Sequence, residues 1–129
     1  MYYISKRMEI AGSHRLSLSY ESKCQNLHGH NWVVIVYCKA KELNADGMVC
    51  DFKHIKEQIH GYLDHGNFNE LLPFNPTAEN IARWIVEQIP ECYKASVQES
   101  IPGEQRSGQS SEDGGGCGSV RLHRIDQKK

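Results

Sequence analysis

The stretch Cys24-Gln-Asn-Leu-His28-Gly-His30-Asn-Trp-Val-Val-Ile-Val-Tyr-Cys38 decides how this chain is read. From Asn31 to Cys38 it is β-branched and aromatic almost throughout, the composition of a strand. Side chains alternate along a strand, so His28 and His30 share a face with Trp32, Val34, Val36 and Cys38. Val33, Ile35 and Tyr37 make the other face apolar as well. A strand apolar on both sides needs cover on both sides. Helices supply one cover; in a chain of 129 residues little remains for the other, so subunit association is expected to bury it.

Upstream, residues 3–14 place Ile4, Met8, Ile10 and His14 on even positions, which predicts a strand that ends with His14 on its apolar face. Three neutral imidazoles with a fourth position left for water or substrate form a catalytic zinc arrangement. His14, His28 and His30 are the candidate ligands. The alternative is two loop histidines and an unrelated third, because His-x-His alone is a weak motif.

The length predicts one domain spanning 1–129. A net charge of −1 with 24% charged residues offers no basic stripe for nucleic acid, so a small-molecule or protein partner is expected. No segment approaches the ~20 apolar residues of a membrane span, and no signal-peptide core follows the N-terminus, so a cytoplasmic protein with no membrane partner is expected. Five cysteines, odd in number and without a Cys-x-x-Cys pair, suit reduced thiols better than a disulfide framework.

Asp51 reads as the N-cap of a helix with Phe52, Ile55, Ile59, Tyr62 and Leu63 on one face, and Gly66 as its left-handed terminator. Asp64 and His65 then lie at a helix C-terminus, where a capping imidazole beside a solvated carboxylate is the plainer reading. His54 and His60 are expected to be exposed on that helix. Thr77 reads as the cap of a second helix carrying Ala78, Ile81, Ala82, Ile85 and Ile89, stopped by Pro90. A strand is expected over 93–100. Six of the eleven glycines fall within 103–118, a low-complexity segment read as a flexible insertion. Residues 119–125 then pair back as an edge strand or form a tail.

His14, Cys24-x-x-x-His28-Gly-His30, Leu63-Asp64-His65-Gly-Asn67-Phe-Asn69, Pro76-Thr77-x-Glu79-Asn80 and Val97-Gln-Glu99-Ser100 together resemble the 6-pyruvoyl- and 6-carboxy-tetrahydropterin synthase family. The resemblance implies an α+β tunnelling fold: a four-stranded antiparallel sheet with two helices on one face, its subunits joined into a barrel as a homohexamer. The three-residue gap between Cys24 and His28 resembles the 6-carboxy enzyme of queuosine biosynthesis. That implies a lyase converting 7,8-dihydroneopterin triphosphate to 6-carboxy-5,6,7,8-tetrahydropterin, acetaldehyde and triphosphate. Alternatives are the 6-pyruvoyl enzyme and a non-catalytic member that binds pterin and metal. By the same resemblance His14, His28 and His30 would hold Zn2+, Cys24 would be the general base, Asp64 would support His65 in moving a second proton, and Glu99 would anchor the pterin. A competing alignment lays residues 120–124 on the glutamate strand, with Arg124 where the carboxylate belongs. Thr77 and Glu79 are read as helix-capping rather than chemical.

Overall fold

Two long strands form the spine of the molecule, seen in a computed structural model that describes residues 1–100 and 120–124. β1 (Tyr2–His14) and β2 (His28–Ala40) pair antiparallel along their whole length, from Tyr2 opposite Ala40 to His14 opposite His28. A two-residue strand, β3 (Gly66–Asn67), runs parallel to β1 at Gly12 and Ser13. On the other side β4 (Cys92–Ser100) pairs with β2, and β5 (Val120–Arg124) with β4, both antiparallel. The order is β3-β1-β2-β4-β5. The sheet is therefore mixed and five-stranded, which corrects the expected four-stranded antiparallel sheet. The Gly-rich segment 103–118 lies outside the described residues. Edge strand β5 pairs with Lys94 to Gln98, so residues 120–124 lie beside the strand that carries Glu99.

The extra strand pairs at a glycine on each side. Gly12 and Gly66 face each other across β1 and β3. A Cβ on Gly12 would run into the Phe68 ring, and one on Gly66 would meet Leu71 Cδ1 at 2.5 Å. Hydrogen at both positions lets Phe68 and Leu71 pack directly against the paired strands.

Helices cover the face carrying the even positions of β2. The first runs through α1 (Phe52–Ile55), a π-helical stretch at Lys56–His60 and α2 (Gly61–Leu63). Asp51 caps it by accepting from the Lys53 N–H at 2.9 Å. Its buried stripe is Ile55, Ile59 and Leu63. Phe52 and Tyr62, expected on that stripe, face outward: the Lys6 ammonium lies over the Phe52 ring, and Tyr62 stacks on Trp84 while donating its hydroxyl to Leu71 O at 2.6 Å. The chain ends this helix with His65, not Gly66, in the left-handed region at φ 62°. After the short α3 (Phe68–Leu71), capped by Asn67, comes α4 (Ala78–Gln88), capped by Thr77 as expected; Thr77 Oγ1 accepts from the Asn80 N–H at 3.1 Å. Ile81, Ala82 and Ile85 from α4 close the core against Val34, Val36, Ala95 and Val97. On the opposite face Val33, Ile35 and Tyr37 are half-buried, with the Lys94 ammonium 4.6 Å from the Tyr37 ring centre. Among the described residues no helix is long and apolar enough to cross a membrane.

Because Gly12 fixes the spacing of β1 against Phe68, Gly12→Val is expected to destabilise the fold by about 1–3 kcal/mol through overpacking. The check is a urea titration, in which the midpoint drops at unchanged slope; an unchanged midpoint would contradict the packing described.

Candidate metal centre

The β1–β2 register places His14 directly opposite His28, and His30 opposite Gly12. All three imidazoles therefore come to the end of one sheet face, the face that a few residues further along is apolar core. Their candidate ligand atoms lie within 4.8 Å of one another. Trp32, the next inward residue on that face, forms the floor: its ring centre is 4.9 Å from that of His14 and 5.2 Å from that of His30. The Trp32 indole N–H donates to Gly12 O at 3.2 Å, which fixes the ring.

Two of the imidazoles are oriented by main-chain carbonyls. His14 Nδ1 is 2.8 Å from Pro76 O, and His28 Nδ1 is 2.6 Å from Asn26 O. A carbonyl only accepts, so each Nδ1 carries the proton and each neutral ring leaves an Nε2 lone pair on its other side. Those two Nε2 atoms are buried and have no hydrogen-bond partner. Buried, unpartnered lone pairs converging from separate strand positions are what a divalent transition metal takes as ligands. Burial pushes the His14 pKa down to about 4; the hydrogen bond to Pro76 opposes that shift and the neighbouring His28 adds to it. His14 is thus held in the neutral form that ligates.

The segment after His14 is clamped by two asparagines acting as backbone mimics. Asn69 Oδ1 accepts from the Arg15 N–H while its amide donates to Arg15 O, and Asn75 does the same to Ser17. Asn75, one of the two, directly precedes Pro76, the anchor of His14.

Glu99 on β4 sits opposite Trp32, buried, with Oε1 3.3 Å from His30 Nε2. It is β4, not β5, that brings a carboxylate to the histidines. Cys24 lies in a short 3-10 turn (Lys23–Gln25) stabilised by a capping box between Ser22 and Gln25. It is 7% exposed, and its sulfur is in a disulfide. That corrects the expectation of reduced thiols throughout, which does hold for Cys38, Cys50 and Cys92. Cys117 lies outside the described residues.

Asp64 and His65 meet at the free edge of β1. Asp64 Oδ1 accepts from the Ala11 N–H at 3.0 Å, and the His65 N–H donates to Ala11 O at 2.6 Å. Asp64 Oδ2 is 3.3 Å from His65 Nε2. His65 is 82% exposed at its side chain, so this carboxylate–imidazole pair opens outward while the three histidines face inward. A left-handed backbone at a residue other than glycine costs about 1–3 kcal/mol, a strain that clusters at functional sites. The sequence reading missed Trp32 as the floor and the Asn26 and Pro76 carbonyls as anchors. The only available signal was position: Asn26 two residues before His28, and Pro76 next to the Thr77 cap.

The family model for 6-pyruvoyl tetrahydropterin synthase matches residues 3–101. A protein of Pyrococcus abyssi named as a putative 6-carboxy-5,6,7,8-tetrahydropterin synthase is 35% identical over 119 residues, covering 70% of this chain and 75% of its own. The 6-carboxy-5,6,7,8-tetrahydropterin synthase of Rickettsia bellii is 32% identical over 120 residues, 74% of this chain and 86% of its own. Among solved structures, the 6-pyruvoyl tetrahydropterin synthase of Caenorhabditis elegans superposes with a TM-score of 0.65 at 21% identity, covering 95% of this chain and 94% of that one; this shows a shared fold.

The depressed pKa of His14 has a consequence for stability. Between about pH 6.5 and 4 the unfolded chain takes up a proton at this residue that the folded, metal-free chain does not. The stability it contributes is full above pH 6.5 and is lost as the pH falls through 4. Thermal melts in chelator across that window are expected to fall more steeply for the wild type than for His14→Gln; parallel curves would contradict the assignment.

Proposed function

Since the chain belongs to the 6-pyruvoyl tetrahydropterin synthase family, we propose that it is a zinc-dependent 6-carboxy-5,6,7,8-tetrahydropterin synthase acting on 7,8-dihydroneopterin triphosphate in queuosine biosynthesis. The observation that carries this reading is the placement, on one sheet face, of three converging imidazoles and the buried Glu99 carboxylate at 3.3 Å from the nearest of them. Relatives named for that reaction, and the three-residue gap between Cys24 and His28, support it.

A zinc ion held by His14, His28 and His30 would supply Lewis acidity, polarising substrate side-chain oxygens so that adjacent C–H groups lose protons more readily. Cys24, as thiolate, takes one of those protons; four residues before His28, it enters the site from the turn that leads into β2. Asp64 holds the His65 ring and stabilises its cation, and His65 moves the second proton. Glu99 accepts hydrogen bonds from the pterin amino group and ring N–H, a pairing a carboxylate makes through both oxygens. Its contact with His30 ties the pterin end of the pocket to the metal end. Thr77 and Glu79 shape the pocket wall from the start of α4. The unfilled apolar face of Val33, Ile35 and Tyr37 is the surface through which the chains join, as a homohexamer in the cytoplasm.

The thiolate role requires Cys24 to be reduced. Zinc-loaded protein treated with a phosphine reductant and given dihydroneopterin triphosphate is expected to release acetaldehyde and a carboxylated tetrahydropterin, identified by mass. Cys24→Ala is expected to keep zinc while losing about 100-fold or more of the rate, the usual scale for a general base. A pyruvoyl product would overturn the reaction assigned, and full activity of Cys24→Ala would overturn the general base.

A further inference from the structure

Asp64 has a second imidazole beside it. His60 Nε2 lies 3.7 Å from Asp64 Oδ2, the same oxygen that His65 Nε2 approaches to 3.3 Å. Oδ1 of the carboxylate accepts from the Ala11 N–H, while Oδ2 lies between the two histidine rings at ion-pair distance. The two rings differ in setting. The His65 side chain is 82% exposed, that of His60 only 27%. His60 also holds Asp64 through the main chain, since its carbonyl accepts the Asp64 N–H at 2.9 Å.

The backbone at His60 is unusual. Lys56–His60 is a π-helical turn in which the Gly61 N–H donates to Lys56 O, five residues back. Such turns widen a helix by one residue, are rare, and occur often at functional sites. This one closes one residue before the three-residue α2, whose end at Asp64 leaves helical geometry with ψ 134°. His60 is therefore the last residue of the widened turn and Asp64 the first residue past the helix, with their side chains directed at each other.

We infer that His60 is a positioning residue: it braces the sheltered side of Asp64, so that Oδ2 stays presented to His65. An aspartate anchored only at Oδ1 retains rotation about its side-chain bonds, and a ring packed against the sheltered side of Oδ2 restricts that rotation. The role of His60 rests on the proposed relay of Asp64 and His65, but its structural core, that His60 sets the Asp64–His65 geometry, can be read without turnover.

The experiment compares wild type, His60→Ala and His60→Gln, the last keeping a donor near the position of Nε2. Nitrogen NMR of the His65 ring is recorded on each, together with kcat and KM for dihydroneopterin triphosphate and zinc affinity. His60→Ala is expected to shift the His65 ring nitrogens and lower kcat by about tenfold, a fraction of a general acid–base contribution. KM and zinc affinity stay at wild-type values, and His60→Gln restores most of both changes. Unchanged His65 nitrogen resonances in folded His60→Ala would overturn the inference, as would a kcat equal to wild type while Asp64→Asn is impaired. A wild type that turns over no substrate would sink the proposed reaction instead, and the NMR comparison would still decide the role of His60.

Discussion

The pairing register of β1 with β2 is the constraint on which the rest depends. With His14 opposite His28 and Gly12 opposite His30, three imidazoles project from one face, and the same register places Met8 against Val34 and Ile10 against Trp32 on that face. A slip of one residue would turn both strands over relative to each other, exposing half the core and scattering the ligands at once. The core and the candidate metal centre are thus specified by the same hydrogen-bond ladder. Glycine at 12 keeps the ladder from being pushed off Phe68 just where it must deliver His14.

That arrangement sets polar groups at a face otherwise apolar, at a cost. His14 and His28 each leave a buried Nε2 without a hydrogen bond, and an unsatisfied buried polar atom costs about 1–3 kcal/mol. A metal held by these residues would remove the deficit and so couple its binding to folding through these two atoms. Main-chain carbonyls of Asn26 and Pro76 orient the rings, and Pro76 directly follows the Asn75 clamp. The contact on His28 is local, but the one on His14 comes from Pro76, 62 residues further along, so the centre depends on long-range packing.

Much of this was legible in the sequence because it rests on short-range periodicity. Period two along 28–38 and on the even positions of 4–14 placed the histidines and the core together; Asp51 and Thr77 announced the two helix starts through their side-chain chemistry. What was not legible depends on contacts without a local signature. Strand β3 pairs two glycines 54 positions apart, a contact that neither glycine announces locally. The π-turn at Lys56–His60 has the same apolar spacing as an α-helix, so His60 read as an exposed helix residue when it is turned toward Asp64. Gly66 read as the left-handed terminator, yet its lack of a side chain is used for close approach, and His65 carries the positive φ. The disulfide at Cys24 has no signature in cysteine spacing either.

Two polar clusters stand at different places on the sheet. The inward centre gathers neutral nitrogens and a carboxylate against an indole floor; the outward pair at the β1 edge keeps an exposed imidazole beside an anchored aspartate. The first has the donor set for a cation, and Ala11 and His14, three residues apart on β1, join the two along one strand. The central claim is that His14, His28 and His30 alone supply the protein ligands of one metal ion. X-ray absorption on the reduced, zinc-loaded protein tests it most directly: three nitrogen ligands at about 2.0–2.1 Å with a light fourth atom are predicted, and a sulfur scatterer at about 2.3 Å, which would make Cys24 a ligand, would contradict it.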